Sequence, residues 1–242
     1  MNEFNLIGFG KMGIQISSLL MTMGYKVNIF SKNFISKEKK FKICNRIFEK
    51  YFKIKQTGNF SIYQNIEDLP KNHTIETLVE DLAIKKKLLS HLKYDFDNML
   101  LFTNTSSYDP KEINENALGV HFFNPIHQLK VIETTCSKSI IENNAKFFFD
   151  DIKKLNFKIF KVKNNRGYVY NFLYFKKIAL CYELIDKYGY TSNEIINILD
   201  AFKTNNDFEE IINLVGRDTT KKILSNLLEN HNDIIKNPKN IL

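Results

Sequence analysis

The sequence predicts an α/β fold with a doubly wound, mostly parallel sheet, followed by a smaller all-α domain. The first supporting observation is a glycine string, Gly8-Phe9-Gly10-Lys11-Met12-Gly13, directly after a short apolar run. The second is the alternation of short β-branched and aromatic runs with amphipathic segments, which is typical of a parallel sheet covered by helices. The third is the loss of strand-like runs after about residue 164, which divides the chain into domains 1–164 and 165–242.

The elements follow in order from apolar periodicity and from turn or capping residues. Strands are predicted over residues 4–9, 25–30, 60–63, 74–79, 98–103, 119–122, 131–134 and 157–162. Helices are predicted over residues 12–23, 37–53, 82–92, 140–155, 168–187, 208–215 and 219–230, and after a capping box at 191–194.

The glycine string lies where a strand gives way to a helix, which makes it a Rossmann-type phosphate site. The first glycine permits a tight turn, the second lets the backbone approach a pyrophosphate, and the third lets helix and strand pack closely. The helix N-terminus offers unpaired N–H groups to the phosphates. We therefore assign Gly8, Gly10, Met12 and Gly13 to a dinucleotide site.

The end of the second predicted strand selects the cofactor's ribose in this fold. NAD-binding members carry Asp or Glu there, about 20 residues after the glycines. Here the strand ends in Ser31 and Lys32, and the next carboxylate is Glu38. A hydroxyl and an ammonium can bind a 2′-phosphate, which favours NADP over NAD. Relaxed NAD binding beside a solvated Lys32 is the alternative.

Composition narrows the class of protein. The formal net charge of +8 permits a nucleic-acid partner, but the lysines are spread along the chain, so we expect no nucleic acid and no membrane partner. Three scattered cysteines and an N-terminus without a signal-peptide pattern predict a cytoplasmic location. The sequence lacks the Cys–His spacing of zinc sites, so we expect no metal.

Three further motifs complete a pattern: Asn104-Thr105-Ser106, then His121-Phe122-Phe123-Asn124-Pro125 with Val131-Ile132-Glu133, then Arg166-Gly167-Tyr168-Val169-Tyr170-Asn171. Together with the glycine string, they resemble the 3-hydroxyacyl-CoA dehydrogenase family over nearly the whole chain. The HFFNP string with its downstream Val-Ile-Glu is the most specific piece.

The resemblance implies a role for each matching position. His121 matches the general acid/base, Glu133 its orienting carboxylate, and Ser106 the serine that binds the substrate's 3-oxygen. Asn171 matches the asparagine that helps to hold substrate and histidine. The cofactor positions implied by the resemblance are Glu80, Lys85, Asn104 and Asn124.

The chemistry asks for the same residue types. Oxidising a secondary alcohol needs a base for the hydroxyl proton while hydride leaves for a nicotinamide. Histidine titrates near neutrality, and a carboxylate on its far nitrogen fixes its tautomer. The non-catalytic alternatives are a core histidine at position 121, a surface strand residue at position 133 and a helix N-cap at position 171.

The resemblance implies an NAD(P)-dependent dehydrogenase of 3-hydroxyacyl thioesters, carried by CoA or by an acyl carrier, and a homodimer through the helical domain. Lys39 and Lys42 are candidates for the CoA phosphates, or they belong to an ordinary solvated face. Arg166 and Phe172 replace residues usual in the family, and we expect these two changes to affect acyl specificity. Two alternatives remain: a dehydrogenase of free β-hydroxyacids using Lys176 or Lys177, and a non-catalytic NAD(P)-binding protein.

Overall fold

The computed structural model describes residues 3–92, 99–135, 139–201, 213 and 215–228. The chain divides into two compact units. The first comprises Met1–Thr105 and Asp109–Asn164, and the second comprises Ser106–Tyr108 and Asn165–Leu242. The short segment 106–108 thus groups with the helical part of the chain, which the sequence analysis did not predict.

The first unit is built on one sheet, whose strands match the eight predicted segments in order. They are β1 Glu3–Ile7, β2 Lys26–Phe30, β3 Phe60–Tyr63, β4 His73–Glu76, β5 Leu101–Thr103, β6 Ala117–Phe122, β7 Val131–Thr135 and β8 Lys158–Lys161.

The strand order is β3-β2-β1-β4-β5-β6-β7-β8, and every neighbouring pair is parallel except β6 and β7. The order reverses between β1 and β4, so the carboxyl ends of these strands form the switch point at which doubly wound folds bind ligands. This topology confirms the predicted fold class.

Helices cover the sheet, and in the described residues of the first unit they are α1 Lys11–Thr22, α2 Glu38–Phe52, α3 Leu82–Leu89, α4 Pro110–Ile113, α5 Ile126–Leu129, α6 Ser139–Asn144 and α7 Lys146–Lys154. The single helix predicted over 140–155 is wrong, because Ala145 separates α6 from α7. Asn143 and Asn144 are weak helix formers directly before that break. The core is continuous and includes Phe4, Phe48, Phe102 and Phe148.

The described part of the second unit consists of α8 Tyr170–Tyr188, α9 Ser192–Ala201 and α10 Arg217–Leu228. Gly189 ends α8 in the left-handed conformation, with φ of 73°. The capping box is confirmed: Thr191 N–H donates to Glu194 at 2.7 Å, and Glu194 N–H donates to Thr191 Oγ1 at 3.2 Å. Most of the helix predicted over 208–215 lies outside the described residues.

Candidate active site

The glycine string has the shape of a phosphate cradle. A Cβ on Gly8 would lie 2.6 Å from the Thr77 carbonyl oxygen, and one on Gly13 would lie 2.1 Å from the Gly8 carbonyl oxygen. By contrast, no described atom lies within 4 Å of a Cβ built on Gly10. Gly8 and Gly13 therefore serve close packing, while Gly10 faces open space at the start of α1. The cradle fits a dinucleotide pyrophosphate.

A buried ionic network lies next to this cradle, at the ends of β4 and β5. Lys85 Nζ contacts Glu76 Oε1 at 2.7 Å and Glu80 Oε2 at 3.4 Å, and both Lys85 and Glu76 are almost completely buried. Thr103 Oγ1 donates to Glu76 Oε2 at 2.6 Å, and Thr105 Oγ1 donates to Glu80 at 3.0 Å. The network therefore joins the ends of both strands to the start of α3.

The charge of Lys85 follows from its partners. Burial alone would lower the pKa of Lys85, but the carboxylates of Glu76 and Glu80 outweigh burial and raise it. Lys85 thus stays an ammonium, enclosed by protein. Glu80 and Lys85 were predicted from the sequence, whereas Glu76 was not, because its position in a buried strand gives no sign of its side-chain partners.

Two side-chain amides fix the backbone that follows His121. Asn104 Oδ1 accepts a hydrogen bond from the Phe122 N–H at 2.9 Å. Gln15, on α1, donates from Nε2 to Asn124 Oδ1 at 2.8 Å and accepts from the Ile126 N–H at 3.0 Å. Asn104 and Asn124 are thus brought to the same edge of the sheet. Gln15 was not identified from the sequence.

The histidine and its carboxylate meet through strand register. His121 on β6 lies directly opposite Glu133 on the antiparallel β7. Their side chains meet at 3.1 Å between His121 Nδ1 and Glu133 Oε2, and each residue is 5% exposed. A carboxylate only accepts, so Nδ1 is the nitrogen that carries a hydrogen here, and in the neutral ring the lone pair is then on Nε2. His121 lies beyond the level of Thr103, toward the carboxyl edge of β5.

Ser106 and Asn171 belong to the second unit, where they are neighbours. Asn171 Nδ2 donates to the backbone carbonyl of Ser106 at 3.1 Å. Asn171 is buried in the first turns of α8, so the N-cap alternative is excluded, since α8 begins at Tyr170. Next to Ser106, Ser107 Oγ accepts from Asn226 Nδ2 at 2.9 Å, which ties this segment to α10.

The remaining predicted residues surround the cradle or lie on α2. Met12 packs against the core, Ser31 is buried at the end of β2, and Lys32 is exposed. On α2, Lys39 is exposed and Lys42 forms an ion pair with Glu38 at 2.7 Å.

Across the described residues, no group of three or more His, Cys, Asp or Glu side chains is placed to hold a metal ion. Nor is any helix in that part of the chain long and apolar enough to cross a membrane.

A sequence profile described as "3-hydroxyacyl-CoA dehydrogenase, NAD binding domain" matches residues 4–163. The glyoxysomal fatty acid β-oxidation multifunctional protein MFP-a of Brassica napus is 26% identical over 195 residues, which is 72% of this chain and 26% of that protein. The mitochondrial hydroxyacyl-coenzyme A dehydrogenase of Mus musculus is 27% identical over 161 residues, which is 62% of this chain and 50% of that protein. The chain therefore spans between about a quarter and half the length of these curated relatives.

Solved structures share the fold at lower identity. FadB2 of M. tuberculosis superposes with a TM-score of 0.81 at 19% identity, over 97% of this chain and 89% of that chain. The (S)-3-hydroxybutyryl-CoA dehydrogenase of Ralstonia eutropha gives a TM-score of 0.75 at 18% identity, over 96% of this chain and 89% of that chain.

Proposed function

This chain belongs to the family of 3-hydroxyacyl-CoA dehydrogenase NAD-binding domains, and on that premise we propose that it transfers a hydride between NAD(P) and a 3-hydroxyacyl or 3-oxoacyl thioester. The observation that carries the proposal is the buried pair of His121 and Glu133, at 3.1 Å on adjacent strands. The acyl carrier we propose is CoA.

His121 is the proposed general acid/base. With Nδ1–H held by Glu133, His121 Nε2 takes the hydroxyl proton during oxidation and returns it during reduction. The Glu133 carboxylate stabilises the imidazolium that forms and holds the ring in one orientation. The low exposure of both residues strengthens this interaction, because water does not screen it.

Ser106 is the proposed donor to the substrate's 3-oxygen, where negative charge grows as hydride arrives at the carbon. Asn171 is proposed to hold the Ser106 segment, and its 3.1 Å hydrogen bond to the Ser106 carbonyl supports this role.

The cofactor supplies or accepts the hydride when bound. Gly8, Gly10 and Gly13 are proposed to hold its pyrophosphate, because the space beside Gly10 is open. Asn104, Asn124 and Glu80 are proposed to border its nicotinamide half. Lys85 is buried and paired, so we assign it to positioning Glu80 and Glu76 instead of contacting the cofactor.

We extend the proposal to NADP. Ser31 directly follows β2 where a carboxylate would select NAD, and the exposed Lys32 comes next, which suits a 2′-phosphate. Lys32→Glu is expected to shift the ratio of kcat/KM for NADPH over NADH toward NADH by about ten-fold, the change that about 1.4 kcal/mol represents. An unchanged ratio would assign Lys32 to solvent.

A second copy of the chain is the proposed partner. Helix α8 exposes apolar side chains at helical spacing, with Leu173 at 63%, Leu180 at 49% and Tyr188 at 70%. Such a stripe is costly to leave in water, and pairing two copies would cover it.

The direct test measures oxidation of NADH and NADPH with acetoacetyl-CoA and, in parallel, with free acetoacetate. Turnover of the thioester supports the proposal. Turnover of only the free acid would favour the alternative that uses Lys176 or Lys177. Cofactor binding without turnover of either compound would favour a non-catalytic NAD(P)-binding protein.

A further inference from the structure

We propose that Gln15 is a positioning residue that fixes the polarity of the Asn124 amide, so that Asn124 presents an N–H donor to an acceptor oxygen in the nicotinamide half of the cofactor. The inference rests on the proposed function only in taking that ligand to be NAD(P). Under this proposal, helix α1 orients the Asn124 amide through Gln15, in addition to its proposed role at the phosphates.

The backbone N–H of Ile126 fixes the orientation of the Gln15 side chain. The backbone N–H of Ile126 can only donate, and Gln15 Oε1 accepts from it at 3.0 Å. The Gln15 side chain is therefore fixed with its oxygen toward Ile126, and it is 9% exposed.

The orientation of the Gln15 amide determines the orientation of the Asn124 amide. With Oε1 engaged, Gln15 turns its Nε2 toward Asn124 and donates to Asn124 Oδ1 at 2.8 Å. The Asn124 amide must then direct its Nδ2 away from Gln15, and in the described part of the chain this Nδ2 has no hydrogen-bond partner. Asn124 can thus serve a ligand as a donor and not as an acceptor.

The orientation of the Asn104 amide is fixed directly by a backbone donor. The Phe122 N–H can only donate, and it donates to Asn104 Oδ1 at 2.9 Å. The NH₂ group of Asn104 is therefore also oriented as a donor. Two amides of fixed polarity follow the carboxyl ends of β5 and β6.

The topology indicates which part of a dinucleotide they meet. In a doubly wound sheet the pyrophosphate lies at the switch point, with one nucleotide half over each side. Here β2 and β3 lie on one side of that point and β5 and β6 on the other. Since the ribose-selecting residue follows β2, the amides after β5 and β6 belong to the nicotinamide half. The nicotinamide carboxamide oxygen is an acceptor that suits them.

The test variant reverses the orientation of the Asn124 amide while it preserves the shape of the side chain at position 15. In Gln15→Glu, one carboxylate oxygen still accepts from Ile126, and the other draws the NH₂ of Asn124 toward itself, so Asn124 turns its oxygen to the ligand. Gln15→Met removes both hydrogen bonds and leaves Asn124 free to rotate. Gln56→Glu is the matched control, because Gln56 Nε2 donates to Ser18 O and Thr22 Oγ1 on the same helix.

Dissociation constants are measured at about pH 8, where an ordinary carboxyl is ionised, for the reduced cofactor that wild type binds more tightly. The same constants are measured for its fragment without nicotinamide, ADP-ribose or 2′-phospho-ADP-ribose. Gln15→Glu is expected to weaken cofactor binding about ten-fold, the change that about 1.4 kcal/mol represents. Fragment binding should change less than about two-fold. Gln15→Met should have a smaller effect, and Gln56→Glu should lower Tm without altering either constant.

Three results would overturn the inference. Equal weakening of cofactor and fragment by Gln15→Glu would indicate repulsion of the phosphates by the new charge. A Gln15→Met variant at least as impaired as Gln15→Glu would indicate packing and not polarity. Cofactor binding as tight as in wild type would show that Asn124 does not depend on Gln15.

The binding test of Gln15 can fail or succeed independently of the activity test of the proposed function. Wild type that binds cofactor but turns over no thioester refutes the proposed reaction, while the binding constants still test Gln15. If Gln15→Glu does not fold, Gln15→Met carries the test. Its ratio of cofactor to fragment affinity is expected to fall, and an unchanged ratio refutes the inference.

Discussion

The two units of the chain use the same apolar residue types in different ways. The sheet unit buries Phe4, Phe48, Phe102 and Phe148 in one continuous core. The helical unit has a smaller core around Phe175, Ile178 and Leu224, while α8 leaves large leucines and tyrosines exposed. The family profile follows the same division, because it ends at residue 163.

The two units differ in how many of their positions tolerate substitution. In the sheet unit, backbone closeness at the glycines and buried polar groups leave few substitutions that preserve the geometry. In the described part of the helical unit, buried polar groups such as Asn171 and Asn226 are few and the apolar stripe of α8 is exposed, which leaves more positions open to substitution. Under the proposed function, cofactor binding is assigned to the first unit, and acyl choice and assembly are assigned to the second.

The largest predicted effect concerns the buried ion network of the sheet unit. Lys85→Met leaves the Glu76 carboxylate buried without its ammonium, and we expect unfolding free energy to fall by about 3–5 kcal/mol. Urea denaturation measures this change. Lys86→Met is the control, because the exposed Lys86 should alter stability by less than about 0.5 kcal/mol. If both variants lowered the free energy of unfolding equally, the proposed structural role of Lys85 would be wrong.

The same lysine predicts a pH dependence. Because the pKa of Lys85 is raised above 10.5 in the folded protein, its stabilisation is complete below that unfolded value and is lost as pH rises through the folded value. The stability gap between wild type and Lys85→Met should therefore be constant from about pH 7 to about pH 10 and shrink above it. A gap that closes already below about pH 9 would contradict this assignment.

A smaller effect separates two glycines of the cradle. Gly13→Ala forces a Cβ to 2.1 Å from the Gly8 carbonyl oxygen, and we expect a loss of about 1–3 kcal/mol in stability. Gly10→Ala meets open space, so its stability should stay within about 0.5 kcal/mol of wild type while cofactor affinity falls. Thermal melts with and without cofactor distinguish the two. Similar melting losses in both variants would remove the distinction.

The smallest predicted effect on stability lies in the helical unit. Leu180→Lys changes a half-exposed side chain of α8, so the monomer's unfolding free energy should change by less than about 0.5 kcal/mol. Light scattering should nevertheless show wild type as a dimer and the variant as a monomer. A monomeric wild type at micromolar concentration would refute the proposed partner.

Much of the sheet was predictable, because buried strands and amphipathic helices leave local periodic patterns. The antiparallel direction of β7 was not predicted, although residues 123–130, which join β6 to β7, are fewer than a parallel crossover requires. The break at Ala145 was not predicted, because the apolar spacing of residues 140–155 continues across it.

The candidate site was predictable where motifs carried it and not where distant contacts did. His121 and Glu133 were named from a resemblance, and strand register then placed them together. Gln15 reaches Ile126, 111 positions away, and Glu76 reaches Thr103, 27 positions away. Such partners leave no local pattern, because they are set by the packing of separate elements.

The proposed reaction depends on proton transfer by His121. The decisive measurement is the rate of hydride transfer from reduced cofactor to acetoacetyl-CoA in His121→Gln, with the cofactor dissociation constant measured beside it. We expect the rate to fall by about 10²–10⁴-fold with cofactor binding unchanged, while the control variant of the exposed His91, His91→Gln, retains full activity. A His121→Gln protein that keeps more than about a tenth of the wild-type rate would contradict the claim.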